Sequence, residues 1–173
     1  MATTRARSFW AWGWEDRYPD DDSRAGLAML VEHQLGLSGL TPLPMPRLED
    51  ARIPPGRRPP PEGLPFITAD AYARITHTYG RAYPDLLRGF RGDFMAAPDL
   101  VASPADEAEV VATLDWAAAE GVAVVPYGGG TSVVGGWRPG AGATGRSSPW
   151  ICAASTGCWR WMPAPGRPAS RLG

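Results

Sequence analysis

The chain contains no lysine and no asparagine, and among its 173 residues there are only two histidines and two cysteines. Each shortage closes a class of function. Without lysine, the nucleoside-triphosphatase loop GxxxxGK[ST], whose lysine reaches the terminal phosphates, cannot be built. Cys152 and Cys158 both lie in the last stretch of the chain, whose character differs from the rest, so neither a disulfide nor a metal site is inferred from them. A formal net charge of −1 leaves no basic excess of the kind that nucleic acid binding needs. No apolar run approaches transmembrane length. The opening residues combine two arginines with a tryptophan-rich segment, and no apolar signal-peptide core follows. The expectation is a soluble cytoplasmic protein with no membrane span and no nucleic acid partner.

What is present is concentrated between Gly121 and Gly136, GVAVVPYGGGTSVVGG, where a short apolar run ends in three consecutive glycines and two hydroxyl residues. Glycines 128, 129 and 130 can take positive φ without a Cβ penalty, so successive N–H groups can line one concavity and grip phosphate oxygens. Thr131 and Ser132 can add hydroxyl donors. A dinucleotide fingerprint GxGxxG starting at Gly128 meets Val133 where its third glycine belongs, so that pattern fits poorly. The plain alternative is a glycine-rich turn without a ligand.

The flanks argue for the cradle. Pro98 to Ala102 is a short apolar run, followed by Ser103, Pro104 and Asp106, which are helix-start signals. Val110, Val111, Leu114, Ala117 and Ala118 recur at helical spacing, and Gly121 stands where a C-cap belongs. The spacing therefore predicts a strand, an amphipathic helix from about Pro104 to Glu120, a second strand over Val122 to Val125, and the loop. Such a crossover is expected to be parallel and right-handed.

The words PDLVASPADEAEVVATLDWAAAEGVAVVPYGGGTSVVGG resemble the leading strand, first helix, second strand and pyrophosphate loop of the FAD-dependent oxidoreductases of the vanillyl-alcohol oxidase and p-cresol methylhydroxylase (PCMH) type. Within that family the likeness is greatest to alkyldihydroxyacetonephosphate synthases and their bacterial oxidase or dehydrogenase relatives. The segment THTYGRAYPDLLRGFRGD, 76–93, and the start SFWAWGWEDRYPDDD are similar to regions that precede the flavin domain there. The resemblance covers most of residues 8–136. It implies an α+β fold, FAD as cofactor, a small-molecule substrate, and a loop in which Pro126, Tyr127, Gly128, Gly129, Gly130, Thr131 and Ser132 hold the FAD pyrophosphate. Some members attach flavin through a histidine in the loop region. This loop has none, so non-covalent FAD is expected. The remainder of the flavin domain and the substrate-capping domain that carries the catalytic side chains have no counterpart here, and no catalytic residue is carried over.

After Gly136 the pattern changes. Residues 137–173 have no usable period, scattered tryptophans and many turn-forming residues, and read as a disordered tail. The absence of lysine and asparagine, with abundant alanine, glycine, proline and arginine, is what GC-rich codons give. In the other reading frame the Trp150/Ile151 and Trp161/Met162 junctions must encode Asp, Met162/Pro163 must encode Ala, and Cys158/Trp159 must encode Leu. With GC-favoured codons elsewhere, 148–173 reads TVDLRRLDRVLEVDARSRTARLQAG, a strand, turn and strand similar to the next part of the same family. A frameshift near residue 137 is therefore expected. The strands before it would then lack sheet neighbours and a helix face would stay uncovered.

The remaining segments complete a five-part organisation. Residues 1–40 form a Trp-rich arm and a helix, in which Asp20, Asp21, Asp22 and Ser23 cap a run with Leu27, Leu30, Val31 and Leu35 on one face, closed by Gly36. Three adjacent aspartates without a spaced second ligand set do not make a metal site. Trp10, Trp12 and Trp14 are expected to anchor the arm by burial. Residues 41–66 are a proline-rich linker or an arm wrapping a partner domain. In the pre-domain segment, 67–97, His77 with Arg81, Arg88 and Arg91 is a second place for chemistry, where arginines could meet an anionic substrate or flavin phosphate. The alternative there is a packing face of Tyr79, Tyr83, Leu86, Leu87 and Phe90 with solvated arginines. Residues 98–136 are the partial FAD-binding domain and 137–173 the tail.

Overall fold

The computed structural model describes residues 6–135 and 150–154. The fold is α+β, with a mixed four-stranded sheet between helices. The strands are β1 (Ile67–Thr68), β2 (Leu100–Ala102), β3 (Ala123–Tyr127) and β4 (Trp150–Ala154), and the helices are α1 (Asp21–Leu35), α2 (Ala71–Thr76), α3 (Tyr83–Phe90) and α4 (Glu107–Glu120). The spatial order is β1-β2-β4-β3. β1 runs antiparallel to β2, and β4 is parallel to both β2 and β3. β2 and β3 are thus parallel, as the crossover requires, but a third strand lies between them.

That central strand departs from the sequence reading. The disordered tail expected from 137 onward does not describe Trp150–Ala154, which pair Leu100 with Ile151 on one side and Val124 with Ile151 on the other. The physical reason is tertiary. Trp-Ile-Cys-Ala-Ala is apolar and slips between two strands that otherwise expose unsatisfied ladders. The expected absence of sheet neighbours is filled at this point, and the rest of 137–173 lies outside the described residues.

β2 is buried on both faces, with all three residues no more than 1% exposed. A continuous Leu-Val-Ala run is what such a strand needs. Leu100 and Ala102 join Ile67, Ile151, Ala117 and Val122 on the α4 side, while Val101 meets Ala73, Val125 and Tyr127 on the α2 side. α4 begins later than the sequence suggests. Ser103 is not its cap, because its N–H continues the sheet to the Phe66 carbonyl at 2.9 Å. The cap is Asp106, which accepts from Glu109 N–H at 2.9 Å while the Glu109 carboxylate accepts from Ala105 N–H at 2.6 Å. Gly121 closes the helix in the left-handed region at φ 65°. The buried face is Thr113 and Ala117 with Trp116 beside them. Val111 and Leu114 of the expected apolar face remain about half exposed, 49% each.

α1 is capped as its sequence specifies, by the Asp20 carboxylate on Ser23 N–H at 2.9 Å and by Gly36 at φ 63°. No residue of it is buried, and Leu27, Leu30, Val31 and Leu35 all face outward. His33 is exposed too. The proline-rich segment packs against this chain's own β2 and α4 region. Arg57 grips the buried Asp99 through Nε and Nη2, at 2.9 and 2.6 Å. Arg58 meets Glu120 at 2.5 Å, and buried Arg74 donates to the carbonyls of Pro54 and Pro98 at 2.8 and 2.6 Å.

A second core ties the N-terminal arm to the pre-domain segment, with Phe9, Ile75, Tyr79 and Phe94 buried together. Trp10 stacks on Tyr18 and meets Phe90 edge-on, at centroid distances of 5.4 and 5.1 Å. Trp14 lies under the Arg7 guanidinium, whereas Trp12 is exposed, so the arm is anchored chiefly by Phe9 and Trp10. Tyr83 is exposed as well and leaves the expected packing face, because it opens α3 on its solvent side.

Candidate functional site

β3 delivers Tyr127 to the end of the sheet, and the glycine run follows at the carboxyl edge, where open parallel sheets bind their ligands. Gly130 turns the chain at φ 65°, a conformation that disfavours any side chain. A Cβ on Gly128 would meet nothing within 4 Å, and one on Gly129 would touch only Thr131 Cγ2, at 3.5 Å. The loop therefore presents bare backbone to open space, which is the surface a diphosphate must approach. Pro126, Gly128, Gly129, Thr131 and Ser132 are exposed and Gly130 is half-buried. The exposed run offers backbone N–H and hydroxyl donors of the kind that suit an anionic ligand.

Tyr127 behaves differently from the rest of the loop. Its half-buried ring lies between Gly130 and α2, where its hydroxyl donates to the Thr76 carbonyl at 3.0 Å and its ring lies 4.6 Å from that of His77. Its hydroxyl also fills the space beside Gly130, so a Cβ there would overlap it. Of the other residues singled out around His77, Arg81 is beside the loop: its N–H donates to the Ser132 carbonyl at 2.6 Å, and its guanidinium folds onto the Gly80 carbonyl at 3.0 Å. Arg88 instead pairs with buried Asp85 at 3.0 Å, and Arg91 is exposed. Gly80 escaped the sequence reading. Its one visible signal is a glycine interrupting the apolar spacing of 76–90.

His77 carries a pH dependence. Burial pushes its pKa below the ordinary 6.5, opposed by a hydrogen bond to the Ala73 carbonyl. Nδ1 lies 2.7 Å from that carbonyl, which can only accept, so the neutral ring carries its proton on Nδ1. In the unfolded chain the ring binds a proton more readily. Its contribution to stability is therefore complete above the unfolded value of 6.5 and declines as pH falls from there toward the lower folded value. Thermal melts should show the wild-type Tm falling more steeply than that of His77→Gln between about pH 7 and pH 5; parallel curves would refute the assignment.

Among the described residues no group of three or more His, Cys, Asp or Glu could hold a metal ion, and no helix is long and apolar enough to cross a membrane.

Strand β2, capped helix α4, strand β3 and the glycine loop form one continuous unit. Residues 98–143 match the family described as FAD binding domain. Alkyldihydroxyacetonephosphate synthase of Trypanosoma brucei brucei is 45% identical over 73 residues, 42% of this chain, and that of Dictyostelium discoideum 40% identical over 70 residues, 40% of this chain. The chain's match spans 12% of the length of each of these relatives. Two crystal forms of an alkyldihydroxyacetonephosphate synthase share the fold. Their TM-scores are 0.68 and 0.69 at 24% and 22% identity, covering 85% and 86% of this chain and 32% of each solved chain. Over residues 98–143 the chain carries part of an FAD-binding domain, and it is similar to alkyldihydroxyacetonephosphate synthases in sequence over part of its length and in fold over most of it.

Proposed function

We propose that the backbone of Pro126–Ser132, with the hydroxyls of Thr131 and Ser132, grips the diphosphate of non-covalently bound FAD. The observation that carries this reading is the open, Cβ-free face at Gly128 and Gly129, held at the carboxyl end of β3. Bound FAD supplies hydride acceptance. The chain's own residues position it and tune its electrostatics. In the intact relative the substrate is a small hydroxy acid or alcohol, or an ether-lipid precursor exchanged without net redox change. The reading includes a cytoplasmic protein, and a net charge of −1 argues against a nucleic acid partner.

Gly128→Val tests the cradle, because a Cβ at this position has no neighbour within 4 Å. FAD binding, followed by flavin fluorescence, is expected to weaken by about tenfold or more with Tm unchanged, since the branched side chain stands where the diphosphate approaches. ADP should compete in the wild type. Equal affinity in the variant would refute the cradle.

A second reading is that this chain is a truncated, non-enzymatic product that holds no FAD. The half-exposed Val111 and Leu114 of α4 favour it, since they lack the covering a complete domain would give. It rests on the expectation of a frameshift at about residue 137. Resequencing the DNA from the Gly135 codon onward decides it, by whether a one-base change restores TVDLRRLDRVLEVD. A purified chain that is colourless and takes up no FAD agrees with this reading.

A further inference from the structure

The connection between α2 and α3 meets the glycine loop twice, across 51 residues of sequence. At one end the Tyr127 hydroxyl donates to the Thr76 carbonyl at 3.0 Å, and at the other Arg81 N–H donates to the Ser132 carbonyl at 2.6 Å. These two bonds bracket the cradle, one on its first side and one on its last. Between them the approach is so close that a Cβ on Gly80 would stand 2.6 Å from the Ser132 carbonyl oxygen and 3.3 Å from its Cβ. Gly80 itself is buried, and a little further on Gly135 lies against Ala82.

Resting on the FAD reading above, we propose that Gly80 and Tyr127 are positioning residues for the cofactor's diphosphate, and that the Thr76–Arg81 segment is the second wall of that site. The argument is geometric. In a trans peptide the C=O and the following N–H point in opposite directions. Turning the Ser132 carbonyl onto Arg81 therefore aims the Val133 N–H away from this wall. Tying Tyr127 to Thr76 fixes the residue from which the glycine run departs. Three consecutive glycines lose more conformational freedom on ordering than any other sequence, so a cradle built from them binds well only if something else orders it beforehand. The wall does that with groups that need not touch the ligand. Only glycine at position 80 lets the two backbones come this close.

The test uses the 173-residue chain, labelled with 15N. Exchange of the Arg81 amide and of the loop amides 128–132 is followed by NMR without cofactor, and FAD affinity by flavin fluorescence. In the wild type the Arg81 amide should be protected before FAD is added. Gly80→Ala should speed its exchange by about tenfold and weaken FAD by a similar factor, because the added methyl must push Ser132 away. Tyr127→Phe keeps the ring against His77 and removes only the hydroxyl. It should speed exchange of the loop amides and weaken FAD more modestly. If Gly80→Ala loses its spectral dispersion, Tyr127→Phe alone decides. An Arg81 amide exchanging at the free-peptide rate in the wild type overturns the proposal, as do folded variants with unchanged exchange and affinity. Wild-type FAD binding alongside an unprotected Arg81 amide removes the wall and leaves the FAD reading standing. A protected Arg81 amide with no FAD uptake removes the FAD reading, and with it the role of this wall toward the cofactor, while confirming the contact.

Discussion

Ile151→Glu is expected to abolish folding of the sheet. Ile151 is fully buried, 0% exposed, in the strand that joins β2 to β3, and it packs into the cluster of Leu100, Ala102, Ala117 and Val122. A carboxylate there has no cation to meet in that apolar cluster. Its desolvation, or the protonation that avoids it, costs several kcal/mol, a large part of the roughly 5–15 kcal/mol that holds a domain together. Losing β4 also leaves β2 and β3 without the neighbour they share, and the loop at the end of β3 loses its support. Circular dichroism should show no cooperative melt and a reduced strand signal. A variant that melts like the wild type would show that Trp150–Ala154 do not sit in the sheet, and would return that segment to the tail the sequence suggests.

Phe94→Ala should destabilise the second core by about 3–5 kcal/mol, the usual range when a buried phenyl ring is removed and its cavity only partly collapses. Phe94 is 1% exposed, 6.0 Å from the Phe9 ring and 5.7 Å from that of Tyr79. For a chain of this size that corresponds to a fall in Tm of roughly 10 °C. The consequence reaches the site. Ile75 and Tyr79 of the same cluster flank Thr76, and Tyr79 immediately precedes Gly80, so a loosened Phe94 core loosens the wall behind the glycine loop. FAD affinity should fall together with Tm. A stable Phe94→Ala variant would mean that the N-terminal arm contributes little to the fold.

Residues near one another in sequence were the legible ones. Helix α1 is announced by Asp20 and stopped by Gly36, and both caps form as their chemistry dictates. Gly121 ends α4 in the same way, and Gly128 and Gly129 after β3 are open backbone, while the space beside Gly130 is filled by the Tyr127 hydroxyl. The start of α4 is ambiguous in the sequence because Ser103 and Asp106 are both good caps. The choice fell to Asp106 when the strand pairing to Phe66 claimed the Ser103 amide. The apolar face of α4 was read as Val110, Val111, Leu114, Ala117 and Ala118. The sheet instead took the side of Thr113, Trp116 and Ala117, a choice that depends on where the strands lie.

The sequence by itself determined the strand–helix–strand–loop order of residues 98–132, both caps of α1 and the C-cap of α4, because propensity, capping and glycine's freedom act over a few residues. Only the tertiary structure decided the rest. It brought Trp150–Ala154 between β2 and β3, closed Arg57 on Asp99 across 42 residues, and set Gly80 against Ser132. Contacts of that range follow from which surfaces are buried together, and no local pattern encodes them.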